Sequence, residues 1–275
     1  MSGINAIAAK ATLIILCLCL SAGMKAGAAD DILSLNRQGN FSEAWKLMRA
    51  SSPEKLPLNE LFLMAMYCRE GRKGVEANPE LSRELFQLLG ERAAAENSRD
   101  GKSLFYMGLS ALYYKLRPSE ALPLFKEAAD KGNSDAQLET AIILQKGLGV
   151  ERDQAQAMDY LHKAVAQNNQ TAKAYLASSY LGQSVDIRRG IALTQESSDA
   201  GNRAGQYTLA MAYEKGRGVP VDRKKALRLY QLSVDQGLKD AHYRLNGLKR
   251  VFHIPREQYI DDDFLKTVED PECEE

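Results

Sequence analysis

The chain has 275 residues, with 36 basic and 36 acidic side chains in balance and 45% apolar residues. That balance excludes a strongly basic nucleic-acid binder and an acidic disordered chain, and the length allows one or two ordinary domains or a single repeat array. The charge is uneven: Lys10 and Lys25 stand alone among the first 29 residues, while nine acids face only Arg256 and Lys266 after residue 255. The middle is therefore mildly basic.

The chain opens with Lys10 and an apolar run from Ala11 to Leu20. The run is shorter than the about 20 residues that a spanning helix needs. With the small residues Ala26-Gly27-Ala28-Ala29 behind it, it reads as a secretory signal over residues 1–29, cleaved after Ala28 or Ala29. Cys17 and Cys19 lie in this leader, which leaves Cys68 and Cys273, too few and too far apart for a disulfide framework or a zinc site. Export with so few cysteines predicts a bacterial periplasmic or secreted protein with no stable membrane insertion once the leader is cut.

From residue 30 one phrase recurs. Tyr213-Glu-Lys-Gly-Arg-Gly-Val-Pro-Val-Asp222 is a helix end, a two-glycine turn and an N-cap, followed by a helix that carries Ala226 and Tyr230. The same phrase runs from Leu144 to Tyr160 and, one residue longer, from Tyr67 to Pro79. Aligned on a small residue, the second helix of each unit gives Ala44, Ser82, Ala121, Ala157, Gly190 and Ala226. Four residues on come Met48, Phe86, Phe125, Leu161, Thr194 and Tyr230. Seven on come Ser51, Leu89, Ala128, Ala164, Ser197 and Ser233. Such an i, i+4, i+7 pattern is one buried helix face. The first helices follow Asn97, Gly132, Asn168, Gly201 and Gly237, each with a small residue four positions later: Gly101, Ala136, Ala172, Gly205 and Ala241. About six helix-turn-helix units over 30–250 follow. The unit after Asn168 departs from the rest, with Gln183 standing where the first turn glycine belongs.

The stretch Ala-Gly-Asn-x-x-Gly-Gln-Tyr-x-Leu-Ala-x-x-Tyr-x-x-Gly-x-Gly-Val from Ala200 to Val219, with Asp222, Lys225 and Ala226, resembles the Sel-one-like repeat of the tetratricopeptide-like superfamily. The resemblance implies an all-α, right-handed α-solenoid of stacked helix-turn-helix repeats. It also implies a non-catalytic scaffold or adaptor, in envelope assembly or signalling regulation, that binds a protein partner of the cell envelope on its concave face. Residues just after each boundary, Gln137, Lys173, Arg203 and Gln206, are the predicted partner-binding positions. Exported relatives linked to cell-wall binding or β-lactam hydrolysis give the alternative, but those carry a disulfide in each repeat, and the repeats here hold only Cys68.

Residues 251–275 are read as a capping helix and an acidic tail. Tyr259, Ile260, Phe264, Leu265 and Val268 would form its apolar stripe, with docking to a partner as the alternative. No phosphate loop, His-Glu-x-x-His site, serine elbow or calcium loop occurs, so no cofactor, metal or nucleic acid is expected.

Overall fold

A computed structural model describes residues 28–96 and 98–268. The described residues form fourteen α-helices and no strand beyond an isolated bridge between Arg72 and Val75. The leader, Asn97, the acidic end and Cys273 lie outside the described residues, apart from Ala28 and Ala29, which open the first helix.

The helices pair in order. α1 (Ala28–Arg37) packs on α2 (Phe41–Ala50), α3 (Leu58–Glu70) on α4 (Pro79–Ala95) and α5 (Gly101–Tyr113) on α6 (Pro118–Asp130). Then α7 (Ser134–Lys146) packs on α8 (Gln154–Ala166), α9 (Gln170–Gln183) on α10 (Ile187–Asp199) and α11 (Arg203–Lys215) on α12 (Arg223–Asp235). α13 (Lys239–Val251) stacks on α12 without a full partner, and α14 (Asp262–Thr267) is a short turn beyond it. From α4 to α13 each helix touches the next, so the array is an all-α solenoid with one continuous stack.

The boundaries repeat one device. Asn133, Asn169 and Asn202 cap α7, α9 and α11 through their side-chain oxygens, and Asp153, Asp186 and Asp222 cap α8, α10 and α12. The small, large, small face of the second helices is buried. Ala44, Ala121, Ala157 and Ala226 have no exposed surface, nor do Met48, Phe125, Thr194 and Tyr230. Two details of register differ from the sequence reading. The left-handed cap of α9 is Ser184, because the helix runs through Gln183. In α5 the cap is Asp100, so Gly101 opens the helix and Ser103, 1% exposed, takes the place that Ala136 and Ala172 hold in later units.

Gly218 shows why the turns need glycine. Its φ is +71°, and a Cβ there would lie 2.5 Å from Ile187 Cγ2 and 2.8 Å from Ile191 Cγ1 of the unit before. The turns therefore touch from unit to unit along one edge of the array.

In the last turn of α13, Lys249 is 4% exposed and donates to the carbonyls of Gln258 (2.6 Å) and Arg256 (3.4 Å) beyond the helix. That pins the chain so that Ile254, Ile260 and Leu265 bury against α12 and α13. Tyr259 stays 45% exposed, outside the apolar stripe.

Candidate functional site on the inner face

Three of the four predicted partner-binding residues occupy one column, the fourth position after the N-cap of α7, α9 and α11. Gln137, Lys173 and Gln206 are all buried. Gln137 donates to Ala129 O and accepts from Gln167 Nε2 at 2.8 Å. Gln206 accepts from Gln236 Nε2 at 2.9 Å. Lys173 donates to Asn168 Oδ1 (2.6 Å) and to Glu196 Oε2 (2.7 Å). The three thus tie a first helix to the ends of neighbouring second helices. Each satisfies polar groups that would otherwise be desolvated.

Arg203 stands apart from them. Its guanidinium donates to both oxygens of Glu70 (Nη2 to Oε1, 3.0 Å) and to Gln236 O (3.0 Å). Glu70 ends α3 and Arg203 begins α11, so the array has curved far enough to meet itself. The meeting is extensive. Lys73 N donates to Asp235 O at 2.8 Å, and its ammonium lies 3.4 Å from Asp235 Oδ2 and 3.9 Å from the centre of the Tyr259 ring. Gly237 packs so closely on Gly71 O that no Cβ fits there. Burial pushes the Glu70 carboxyl up, but the Arg203 hydrogen bond and the charges of Arg203, Arg72 and Arg69 outweigh it and hold the group below the ordinary glutamate value.

The closure brings together groups from helices that are not neighbours in the stack. Tyr113 of α5 feels Glu139 of α7, Arg69 and Glu70 of α3, and Tyr175 of α9. Tyr175 feels Glu139, Arg203, Asp240 of α13 and Glu70. Only side chains turned to the inside of the curve can be shared in this way, so Arg69, Tyr113, Glu139 and Tyr175 mark the inner face. The Arg69 guanidinium carbon sits 3.9 Å from the centre of the Tyr113 ring, a cation–π contact. Glu139 makes no hydrogen bond or ion pair with another described residue. Desolvation pushes its carboxyl up to about 7, with Arg69 and Lys146 opposing and Asp135 and Glu70 adding to the rise. Its side chain is half-buried.

Gln137 and Lys173 lie two residues before Glu139 and Tyr175, so the sequence column fell next to the inward one. The signal that could have separated them was Tyr106, Glu139 and Tyr175 in one column, large or charged where a purely structural position would be small or apolar. Among the described residues no group of three His, Cys, Asp or Glu side chains could hold a metal, and no helix is long and apolar enough to cross a membrane. Cys68 is free and buried, its thiol pushed up to about 12 by desolvation.

The profile of the Sel1 repeat matches residues 61–93, 102–133, 134–169, 171–202 and 203–238, one match for each pair from α3–α4 to α11–α12. The chain belongs to the Sel1 repeat family. Two curated fungal proteins are similar to it. Chitin synthase regulatory factor 2 of Schizosaccharomyces pombe is 29% identical over 150 residues, which cover 50% of this chain and 29% of that protein. Chitin synthase regulator SKT5 of Saccharomyces cerevisiae is 29% identical over 133 residues, which cover 44% and 19%. The chain thus spans less than a third of either relative. Among solved structures, the uropathogenic Escherichia coli antigen c5321 aligns at 23% identity and a TM-score of 0.48, over 84% of this chain and 52% of that one. A Sel1 repeat protein from Oxalobacter formigenes aligns at 22% and 0.48, over 82% and 88%. The two curated relatives are fungal, and a fungal cell has no bacterial periplasm. On that finding the bacterial periplasmic or secreted location expected from the leader is corrected.

Proposed function

We propose that this Sel1 array is a non-catalytic scaffold that holds a partner protein on its inner face, at Arg69, Tyr113, Glu139 and Tyr175. The observation that carries the reading is the convergence of these groups from α3, α5, α7 and α9, with the Glu139 carboxyl left without a hydrogen bond or ion pair among the described residues. Polar and aromatic side chains on a concave surface suit a polypeptide, which offers amides, carbonyls and side chains to match them. Gln137, Lys173 and Gln206 serve that surface from beneath by fixing the first helices, and Arg203 sets its curvature. The groups that act on Glu139 include no histidine or cysteine, which favours binding over nucleophilic chemistry. The names of the fungal relatives describe regulators of an enzyme, and this supports a partner that is itself an enzyme.

The test is affinity capture by the tagged chain after mild crosslinking in its own cells, set beside Glu139→Lys and Tyr175→Ala. A partner recovered with the parent chain and lost with both folded variants supports the reading. Equal recovery by all three overturns the inner-face assignment.

A further inference from the structure

Nine large apolar side chains are exposed among the described residues, and five of them stand on one edge of the array. Leu116 (65%) is in the α5–α6 turn, Leu148 in the α7–α8 turn, Val185 (69%) and Ile187 at the α9–α10 turn, and Val221 (51%) in the α11–α12 turn. These four turns are consecutive and touch. A Cβ at Gly149 would lie 3.6 Å from Ser119 N, Gln145 Nε2 reaches Ser179 Oγ at 3.5 Å, and Arg217 donates to Leu181 O at 3.0 Å. The aliphatic tips therefore form a row along a continuous rim. All five are exposed along it.

The same rim is basic. Lys115 and Arg117 flank Leu116, Lys146 and Arg152 flank Leu148, Arg188 and Arg189 follow Ile187, and Lys215, Arg217, Arg223 and Lys224 surround Val221. The acids of these turns, Glu120, Glu151, Asp153, Asp186 and Asp222, are half as many. Asp153, Asp186 and Asp222 accept the backbone N–H groups of Gln156, Arg189 and Lys225, and Glu120 pairs with Arg117 and Lys115. Glu151 is the acid of these turns without such a partner. Arg188, Lys215 and Lys224 make no ion pair with a described residue, so their charge is available.

We propose that this rim is a docking surface for an anionic lipid bilayer, with the aliphatic tips entering the headgroup region and the Lys and Arg side chains meeting lipid phosphates and carboxylates. Charge complementarity selects an anionic surface, and the row of single exposed aliphatics selects a soft planar one over a second protein, which would need a pocket for each tip. The arrangement leaves the inner face free, so a bilayer and a protein partner can be held together. It is independent of the proposed function: either can fail alone.

The experiment is sedimentation of the full chain with vesicles of phosphatidylcholine alone and of phosphatidylcholine with phosphatidylserine. Two edge variants are compared, Leu116→Ser/Val185→Ser/Val221→Ser and Arg188→Glu/Lys215→Glu/Lys224→Glu. A control, Lys131→Glu/Lys239→Glu, alters the opposite edge. Every substituted side chain on the rim is exposed except Lys224, which is half-buried, and circular dichroism melting checks that each variant folds. The expected result is binding to the anionic vesicles only, weakened by added salt, with partitioning reduced at least about 10-fold in both edge variants and unchanged in the control. No binding of the parent chain to anionic vesicles overturns the proposal, and so does loss of binding in the control equal to that in the edge variants. Absence of vesicle binding together with retention of the parent chain, but not the charge-reversed variant, on a poly-glutamate peptide overturns it in favour of an acidic protein partner.

Discussion

Replacing Glu70 with glutamine keeps the shape of the side chain and removes the charge on which Arg203, Arg72 and Arg69 converge. The Glu70 side chain is 14% exposed and the Arg203 side chain 24%, so the pair is largely but not wholly desolvated. Hydrogen bonds to charged groups contribute about 1.5–3 kcal/mol, and removing one partner of a fully buried pair costs about 3–5 kcal/mol. Partial exposure places Glu70→Gln near the lower of these, at about 2 kcal/mol. The assay is urea unfolding followed by circular dichroism, with Arg203→Met and the double variant completing a cycle. The cycle is expected to show a coupling of about 1–2 kcal/mol between residues that belong to different repeats at the two ends of the curve. Burial raises the Glu70 carboxyl and its arginines lower it by more, so its folded value lies below the unfolded one. Its stabilising contribution is then present above the ordinary 4.5 and is lost as pH falls through the folded value. The parent chain and Glu70→Gln should therefore converge in stability in strong acid. A coupling below about 0.3 kcal/mol, within the scatter of additivity, would refute the closure.

Other consequences are local. Glu139→Gln should match the parent chain near pH 4 and exceed it by about 2–3 kcal/mol near pH 8 in urea midpoints, the upper end being the full shift and the lower end allowing for partial exposure. The raised carboxyl makes the folded state hold a proton that the unfolded state has lost, so parent stability declines as pH rises from about 4.5 to about 7. Ala226→Leu overpacks a site with no exposed surface and should cost about 1–3 kcal/mol in thermal melts. Gly218→Ala should cost at least about 2 kcal/mol, from the left-handed backbone and the clash with Ile187. Gly201→Ala, at φ +75° with nothing within 4 Å, should cost only the backbone share of about 1–2 kcal/mol. Asn202→Ala removes the acceptor for Ala204 N and Gly205 N and should lower stability by about 0.5–2 kcal/mol.

The stack was legible because its determinants are local. Ala157, Leu161 and Ala164 sit on one helix face by the geometry of the helix alone, and all three are buried. Gly147 and Gly216 were readable as turns for the same reason, and both take the left-handed conformation at their helix ends. The closure was not legible. Whether Glu70 reaches Arg203 depends on small rotations summed over the intervening units, and no spacing in the sequence records that sum. The inner face suffered from a finer ambiguity. Lys173 and Tyr175 are separated by about 200° on a helix, so the inward-facing column could be identified only with the neighbouring repeats in place. There Lys173 turns to Glu196 and Tyr175 to the inside.

The most direct test of the scaffold places a photo-activated crosslinking residue at Tyr175, and separately at His162 on the outer helix α8, and irradiates the chain in its own cells. The account predicts one dominant protein adduct from Tyr175 that is absent from His162 and is suppressed by Glu139→Lys. Equal adducts from both positions, or none from Tyr175 while His162 yields one, would contradict it.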